Sequence, residues 1–259
     1  MIKKKIALFA NDYVGLEICK FLRASGDKIV KLYVHDLDKQ KFVPEIIQAS
    51  GCLKKDVVGA TETNSPEKIA ELEIAQPDFI ITVYWAYLLK PKVFKIAKQG
   101  TINFHPAPLP INRGWYPHVH SILDGSPTGV TLHTLAEDAD TGLIWAQKLV
   151  PLSSVDTAGD IYKRLQEAII QLFKDNWEKI KNDQIKPTLQ DKNKKGNYHK
   201  KSEIESLDQI DMDQTLKAKD LINKLRARTF GKKGFAYFLD NNGEKIYVQI
   251  RLNKLPDFE

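Results

Sequence analysis

Apolar residues recur along the first two-thirds of this chain with two alternating periods. Residues 6–10 form a short unbroken apolar run, residues 14–24 carry apolar side chains at helical spacing up to Gly26, and residues 28–34 return to a branched, strand-like run. The same alternation continues as a helix over 66–75, a strand over 78–83, a helix over 91–97 that starts on Pro91, and a strand over 101–104. Strands separated by helices build an open, mostly parallel sheet with helices on both faces, so the pattern predicts an α/β fold. A short helix over 116–123 and strands over 130–135 and 143–150 follow. A long amphipathic helix over 158–180 then lays Ile161, Leu165, Ile169, Leu172, Phe173 and Trp177 on one stripe.

Beyond this the pattern changes. Residues 182–196 are polar and Lys-rich and include Pro187, which divides the chain into a domain over 1–181, a basic linker or loop over 182–200 and a small unit over 201–259. The small unit has a helical pattern over 215–229 and two strand-like segments, 235–239 and 245–252, around the turn Asp240-Asn241-Asn242-Gly243. With about sixty residues it is expected to lean on the rest of the chain rather than fold alone.

Composition narrows the function classes. The net charge of +6 is concentrated in residues 181–201, where seven lysines face only Asp183 and Asp191. A solvated linker face is the first reading and attraction of a phosphate-bearing ligand the second. Nucleic-acid binding ranks last, because no aromatic interleaving accompanies the charge. The longest apolar run, residues 79–83, is too short for a bilayer, and the first residues pass straight into a strand, which predicts a cytoplasmic protein without membrane partners. Cys19 and Cys52 have neither CxxC spacing nor neighbouring histidines and read as reduced thiols; no metal is expected.

One constellation carries chemistry. Alternation along the strand at 101–104 puts Asn103 and His105 on one sheet face, about 6–7 Å apart. Pro106, Pro108 and Pro110 stiffen the following loop, and Asp140 comes thirty-five residues after the histidine, in Asp140-Thr141-Gly142. Singly, each has a bland reading as turn former or satisfied polar group; together with the proline loop they read as one active site.

Asn103-Phe104-His105-Pro106, the loop through Leu109-Pro110 to Arg113-Gly114, Gly129-Val130-Thr131-Leu132-His133 and Asp140-Thr141-Gly142 resemble the N10-formyltetrahydrofolate-dependent formyltransferases, in detail over about residues 80–150. The resemblance implies a Rossmann-like core with the formyl donor at the carboxyl ends of the strands. It also implies a folate pocket around Tyr87, Leu88 and Leu89, with His133 and Asp138 beside it. Formyl transfer needs a neutral amine to attack a formyl carbon through a tetrahedral species with a negative oxygen and a positive nitrogen. Asn103 offers an N–H to the oxyanion, His105 donates to it or takes the amine proton, and Asp140 orients His105 and relays the proton. His133 fits a structural role in the site floor at least as well as catalysis.

The acceptor amine is the open question. The first βα turn, residues 10–15, lacks a clustered-glycine phosphate cradle, which disfavours glycinamide ribonucleotide; the C-terminal part is short for a methionyl-tRNA formyltransferase barrel. Residues 197–202, 221–230 and 234–238 resemble the sugar N-formyltransferases. The resemblance implies a nucleotide-linked amino sugar, with dTDP-4-amino-4,6-dideoxyglucose as the best choice, made for surface polysaccharide such as lipopolysaccharide O-antigen. Arg113, Gly114, Tyr198, Lys200, Arg226 and Phe230 are the substrate-side candidates, Lys200, Arg226 and Arg228 for a diphosphate and Tyr198, Phe230 or Tyr237 for a base. A UDP-amino-sugar is the nearest alternative, and a catalytically idle sugar-nucleotide or folate-binding module the non-enzymatic one. The terminal hairpin's Ile246, Val248 and Ile250, and the habit of the family, predict a homodimer.

Overall fold

The computed structural model describes residues 3–191 and 193–254. Met1, Ile2, Lys192 of the basic run and residues 255–259 of the predicted C-terminal unit lie outside the described residues. In chain order the first elements are β1 (Lys5–Ala10), α1 (Asp12–Ala24), β2 (Lys28–Val34), α2 (Val43–Ser50), β3 (Val57–Gly59), α3 (Pro66–Ala75), β4 (Phe79–Val83), α4 (Pro91–Phe94) and β5 (Gly100–His105). They are followed by β6 (Arg113–Gly114), α5 (Pro117–Asp124), β7 (Gly129–His133), β8 (Ile144–Leu149), α6 (Ala158–Lys181), β9 (Tyr198–His199), α7 (Ser202–Glu205), α8 (Ala218–Ala227), β10 (Thr229–Phe230), β11 (Lys233–Gly234), β12 (Tyr237–Leu239) and β13 (Lys245–Tyr247). The described residues form two compact units, one within 3–105, 131–147 and 169–190, the other within 106–130, 148–168, 191 and 193–254.

The central sheet runs β3-β2-β1-β4-β5-β7-β8. The first five strands are parallel, and their order reverses between β1 and β4, as the alternating pattern requires of a doubly wound α/β sheet. β7 then joins β5 antiparallel, so the sheet is mixed. Strands buried on both faces explain the unbroken apolar runs: Ile6, Ala7, Leu8, Phe9 and Ala10 are all fully buried. On one face Phe79 packs against Trp177 and Phe104 against Phe173 of α6. On the other, Ala7, Phe9, Tyr33, Val58 and Ile80 form a core with Ile69 and Leu72 of α3, Val93 and Phe94 of α4, and Leu89. Asp27 is buried under the first face, where it accepts from Trp177 Nε1 at 2.7 Å and from the Lys4 backbone N–H at 2.9 Å, and lies 3.6 Å from Lys181 Nζ.

In the second unit α5 packs on α8, and β6 pairs in parallel with β9. The predicted turn at Asp240–Gly243 closes the hairpin of β12 and β13, with Phe238 opposite Ile246. Its second strand ends at Tyr247 rather than at residue 252, because Val248 N–H bonds Ala236 C=O and Ile250 N–H bonds Thr229 Oγ1. Among the described residues no helix is long and apolar enough to cross a membrane.

Candidate active site

The polar centre is a row across three strands. Register places Thr82 of β4 beside Asn103 of β5, and Asn103 opposite His133 of β7. Their side chains are joined along that row: Thr82 Oγ1 donates to Asn103 Oδ1 at 2.6 Å, and Asn103 Nδ2 lies 2.9 Å from His133 Nε2. His133 Nδ1 is 2.8 Å from Thr134 C=O, an acceptor only, so Nδ1–H donates there, and with Asn103 Oδ1 taken by Thr82 it is the Asn103 amide N–H that points at His133 Nε2. That leaves the second Asn103 N–H for a ligand. Two residues along β5, His105 lies on the same face and is 4% exposed.

Asp140 closes the group from a loop. Its Oδ2 lies 3.5 Å from His105 Nδ1 and its Oδ1 3.4 Å from His133 Nε2, so one carboxylate stands between two imidazoles at distances slightly longer than ordinary hydrogen bonds. The loop owes its shape to identifiable bonds. Thr134 N–H bonds Leu143 C=O, Leu143 N–H bonds Thr134 Oγ1, and Gln190 Nε2 donates to both Asp140 C=O and Gly142 C=O, all at 2.7–2.9 Å. Asp140 has φ +56, and a Cβ on Gly142 would stand 1.7 Å from Thr134 C=O, which is why the motif is Asp-x-Gly. Asp138 is exposed on this loop, its C=O accepting from Thr141 Oγ1.

The folate-pocket candidates lie in residues 84–90, directly after β4. Leu89 is anchored in the apolar core, Leu88 is 77% exposed, and Tyr87 packs on His35 and Trp85. Bonds within the protein take Ala86 N–H, Leu88 C=O and Lys90 N–H. None takes the N–H of Tyr87, Leu88 or Leu89 among the described residues, and buried Trp85 Nε1 also lacks an acceptor. A row of unpaired backbone donors beside apolar and aromatic side chains fits a flat heterocycle with acceptors along its edge, as a pterin has.

Other candidates fall in the second unit. Arg113 and Gly114 form β6, next to Tyr198 and Lys200; a Cβ on Gly114 would stand 2.3 Å from His199 C=O, so glycine is required for the β6–β9 pairing. Asn112, fully buried, braces this pairing through Asn197, Ser121 and Ser126. Phe230 ends an aromatic row running Trp115, Tyr116, His118, Tyr162, Phe230. Arg226 faces elsewhere: it is 8% exposed, and its guanidinium donates to Asp156 C=O, Ser153 C=O and Asn223 Oδ1. Arg228 is held by both oxygens of Asp208. Both arginines considered for a diphosphate are thus committed to protein partners, and Lys200 remains exposed.

His120, His199 and Glu203 have potential metal-ligand atoms within 4.8 Å of one another. The two imidazoles are stacked at 3.5 Å and 7°, so their in-plane lone pairs run parallel instead of converging on one ion. His199 also bonds Glu203 through Nδ1 and the Asn112–Asn197 pair through Nε2. Burial and the neighbouring His199 hold His120 down at about 4, and burial holds His118 at about 3.

The formyl transferase family model matches residues 27–175, more than half of the chain. The chain belongs to the formyl transferase family. A second match, to the N-formyltransferase dimerization C-terminal domain, covers residues 203–254. The dTDP-4-amino-4,6-dideoxyglucose formyltransferase of Mycobacterium tuberculosis is 33% identical over 151 residues, 58% of this chain; the chain spans 64% of the length of that curated relative. A 4-N formyltransferase from Francisella tularensis superimposes with TM-score 0.81 at 26% identity, over 97% of this chain and 99% of the other. The formyltransferase PseJ from Anoxybacillus kamchatkensis, solved with UDP-4,6-dideoxy-4-formamido-L-AltNAc and tetrahydrofolate, gives TM-score 0.58 at 28% identity over 86% of this chain and 98% of that one.

The row also holds residues that sequence reasoning passed over. Thr82 is the lone polar side chain in the apolar run Phe79-Ile80-Ile81-Thr82-Val83, a signal available in the sequence. Gln190 sits in the polar segment after α6, where nothing local marks it.

Proposed function

We propose that this chain transfers a formyl group from N10-formyltetrahydrofolate to the amine of a nucleotide-linked amino sugar. The observation that carries this reading is the convergence of Asn103, His105, His133 and Asp140 on one sheet face. In the transfer the sugar nitrogen attacks the formyl carbon and the carbonyl electrons move onto oxygen. The free N–H of Asn103 stabilises that oxyanion; loss of one such donor costs on the order of 10²–10³ in rate. The proton lost by the new ammonium passes to the His105–Asp140 pair and on to N10 as the C–N10 bond breaks, so donor and acceptor exchange a formyl for a proton. Thr82 and His133 act through Asn103 as positioning residues, fixing which way its amide points.

Residues 84–90 hold the donor, their unpaired N–H groups facing the pterin. In the second unit Arg113, Tyr198 and Lys200 are assigned to the nucleotide, with Tyr198 stacking on the base, while Arg226 braces residues 153–156. The relatives named above work on 4-amino positions, which supports a dTDP-linked 4-amino-4,6-dideoxyhexose. The UDP-sugar bound by PseJ keeps a UDP-sugar as the second reading. The matched dimerization region supports a homodimer, and the use of a nucleotide sugar and a reduced folate supports a cytoplasmic reaction, read here as a step toward surface polysaccharide.

The test is turnover of dTDP- and UDP-linked amino sugars with the formyl donor. Asn103→Ala and His105→Ala are expected to stay folded and lose at least about 10²-fold in kcat. Unchanged turnover in both discards the assigned site; formylation of glycinamide ribonucleotide or charged tRNA alone discards the sugar.

A further inference from the structure

The donor segment, residues 84–90, has no regular structure of its own, yet side chains from two other parts of the same unit fix its backbone. His35, immediately after β2, is 4% exposed and accepts from Ala86 N–H through Nε2 at 3.2 Å. Its Nδ1 lies 3.3 Å from Lys39 C=O, an acceptor only, so Nδ1–H is the donor there and the Nε2 lone pair is left for Ala86. Burial lowers the His35 pKa and keeps the ring neutral, the one state able to make both bonds at once. The ring also packs on Trp85 at 4.8 Å and Tyr87 at 5.1 Å, and Lys39 Nζ stands 4.7 Å over Tyr87. At the far end of the segment Asn64 Nδ2 donates to Leu88 C=O at 2.9 Å, and Lys90 N–H donates to Asn64 Oδ1 at 3.0 Å.

These two clamps take alternate backbone groups. Between them lie the N–H groups of Tyr87, Leu88 and Leu89, which have no acceptor among the described residues. A segment without ladder bonds presents such donors in a fixed array only if something else sets its dihedrals, and ordering it at the moment of binding would subtract from affinity. We propose that His35 and Asn64 are positioning residues for the formyl donor, setting its affinity by pre-forming the backbone edge of residues 87–89 without touching the reacting atoms. The inference rests on the donor reading of residues 84–90 given above.

Binding of 5-formyltetrahydrofolate, an isomer that does not give up its formyl group, separates this inference from the activity. By calorimetry, His35→Ala and Asn64→Ala each weaken binding by about 10-fold or more. In turnover the donor KM rises by the same factor, while kcat at saturating donor and the amino-sugar KM stay within about twofold. His35→Gln, whose amide supplies an N–H for Lys39 C=O and an oxygen for Ala86 N–H, regains most of the lost affinity. Wild-type binding in both alanine variants overturns the inference, as does a fall in kcat shared with the amino-sugar KM. Should His35→Ala fail to fold, the part-exposed Asn64→Ala decides alone. A wild-type protein that binds no folate overturns the donor reading itself; wild-type binding with unaffected variants overturns only the clamps.

Discussion

Gly142→Ala tests whether the Asp140 loop is held as tightly as its bonds imply. The added Cβ would lie 1.7 Å from Thr134 C=O and 2.6 Å from its carbon, and both are backbone, so no side-chain rotation relieves the overlap. Real Cβ contacts require roughly 3.4 Å, so residues 134 and 142 must part by more than 1 Å. That movement breaks the reciprocal pair between Thr134 and Leu143 and disturbs the two bonds from Gln190. At about 1 kcal/mol per hydrogen bond, the loss is about 2–4 kcal/mol. The larger effect is on chemistry: the Asp140 oxygens already stand 3.5 and 3.4 Å from their imidazoles, and a misplacement of about 1 Å costs on the order of 10² in rate. Steady-state kinetics with a thermal melt measures both. Gly243→Ala is the control: its φ is +79 with nothing within 4 Å of the added Cβ, so backbone strain of about 1 kcal/mol lowers stability and leaves kcat alone. If Gly142→Ala keeps wild-type kcat, the loop does not hold Asp140 in register and the argument from Asp-x-Gly fails.

Two further outcomes follow from buried charge. Asp27→Ala strips the acceptor from Trp177 Nε1 and the Lys4 N–H and leaves Lys181 buried beside Glu178 alone; a thermal melt is expected to show a loss of about 3 kcal/mol, the low end for a broken buried pair, and a loss under about 1 kcal/mol would contradict it. His118 and His120 are held neutral at about 3 and about 4, below the unfolded value near 6.5, so below pH 6.5 the unfolded chain binds protons that the folded one refuses. Stability is therefore full above pH 6.5 and falls by about 1.4 kcal/mol per pH unit per histidine down to about pH 4. Urea titrations at stepped pH check this, with His118→Gln expected to reduce the slope and a flat profile between pH 6.5 and 4.5 refuting it.

Strong periodicity made the core legible: β2 and α3 have the predicted bounds, and the six-residue stripe of α6 is buried from Ile161 to Trp177. α2 escaped because it is eight residues long and opens on Phe42 in a left-handed conformation, with no capping side chain to announce it. β3 is three residues long, and β6 with β9 is a two-residue pairing between segments about eighty-five residues apart, which no local pattern encodes. The grouping of Asn103, His105 and Asp140 was legible because its spacing matches the family pattern, and the Asn103–His105 face followed from alternation alone. What it rests on was not. Thr82, Gln190, His35 and Asn64 are ordinary polar residues that reach Asn103, Asp140, Ala86 and Leu88 across 21 to 51 positions of sequence, and only the folded backbone makes them neighbours.

The direction of β7 explains why the site lies where it does. A parallel neighbour to β5 would deliver its carboxyl end level with His105 and send the chain on beyond the sheet. β7 runs the other way, so Thr131 passes His105 first and the strand ends with His133 opposite Asn103, further back along β5. The loop that follows then starts beside the middle of β5, and the bonds from Thr134 to Leu143 turn it back within ten residues. Asp140 is carried on that return, which lets a single carboxylate reach both His133 and His105. The antiparallel pairing of β7 with β5 thus does what a parallel sheet alone does not: it brings the His133 imidazole and the Asp140 carboxylate to the amide and imidazole that β5 already presents, joining three separate points of the chain.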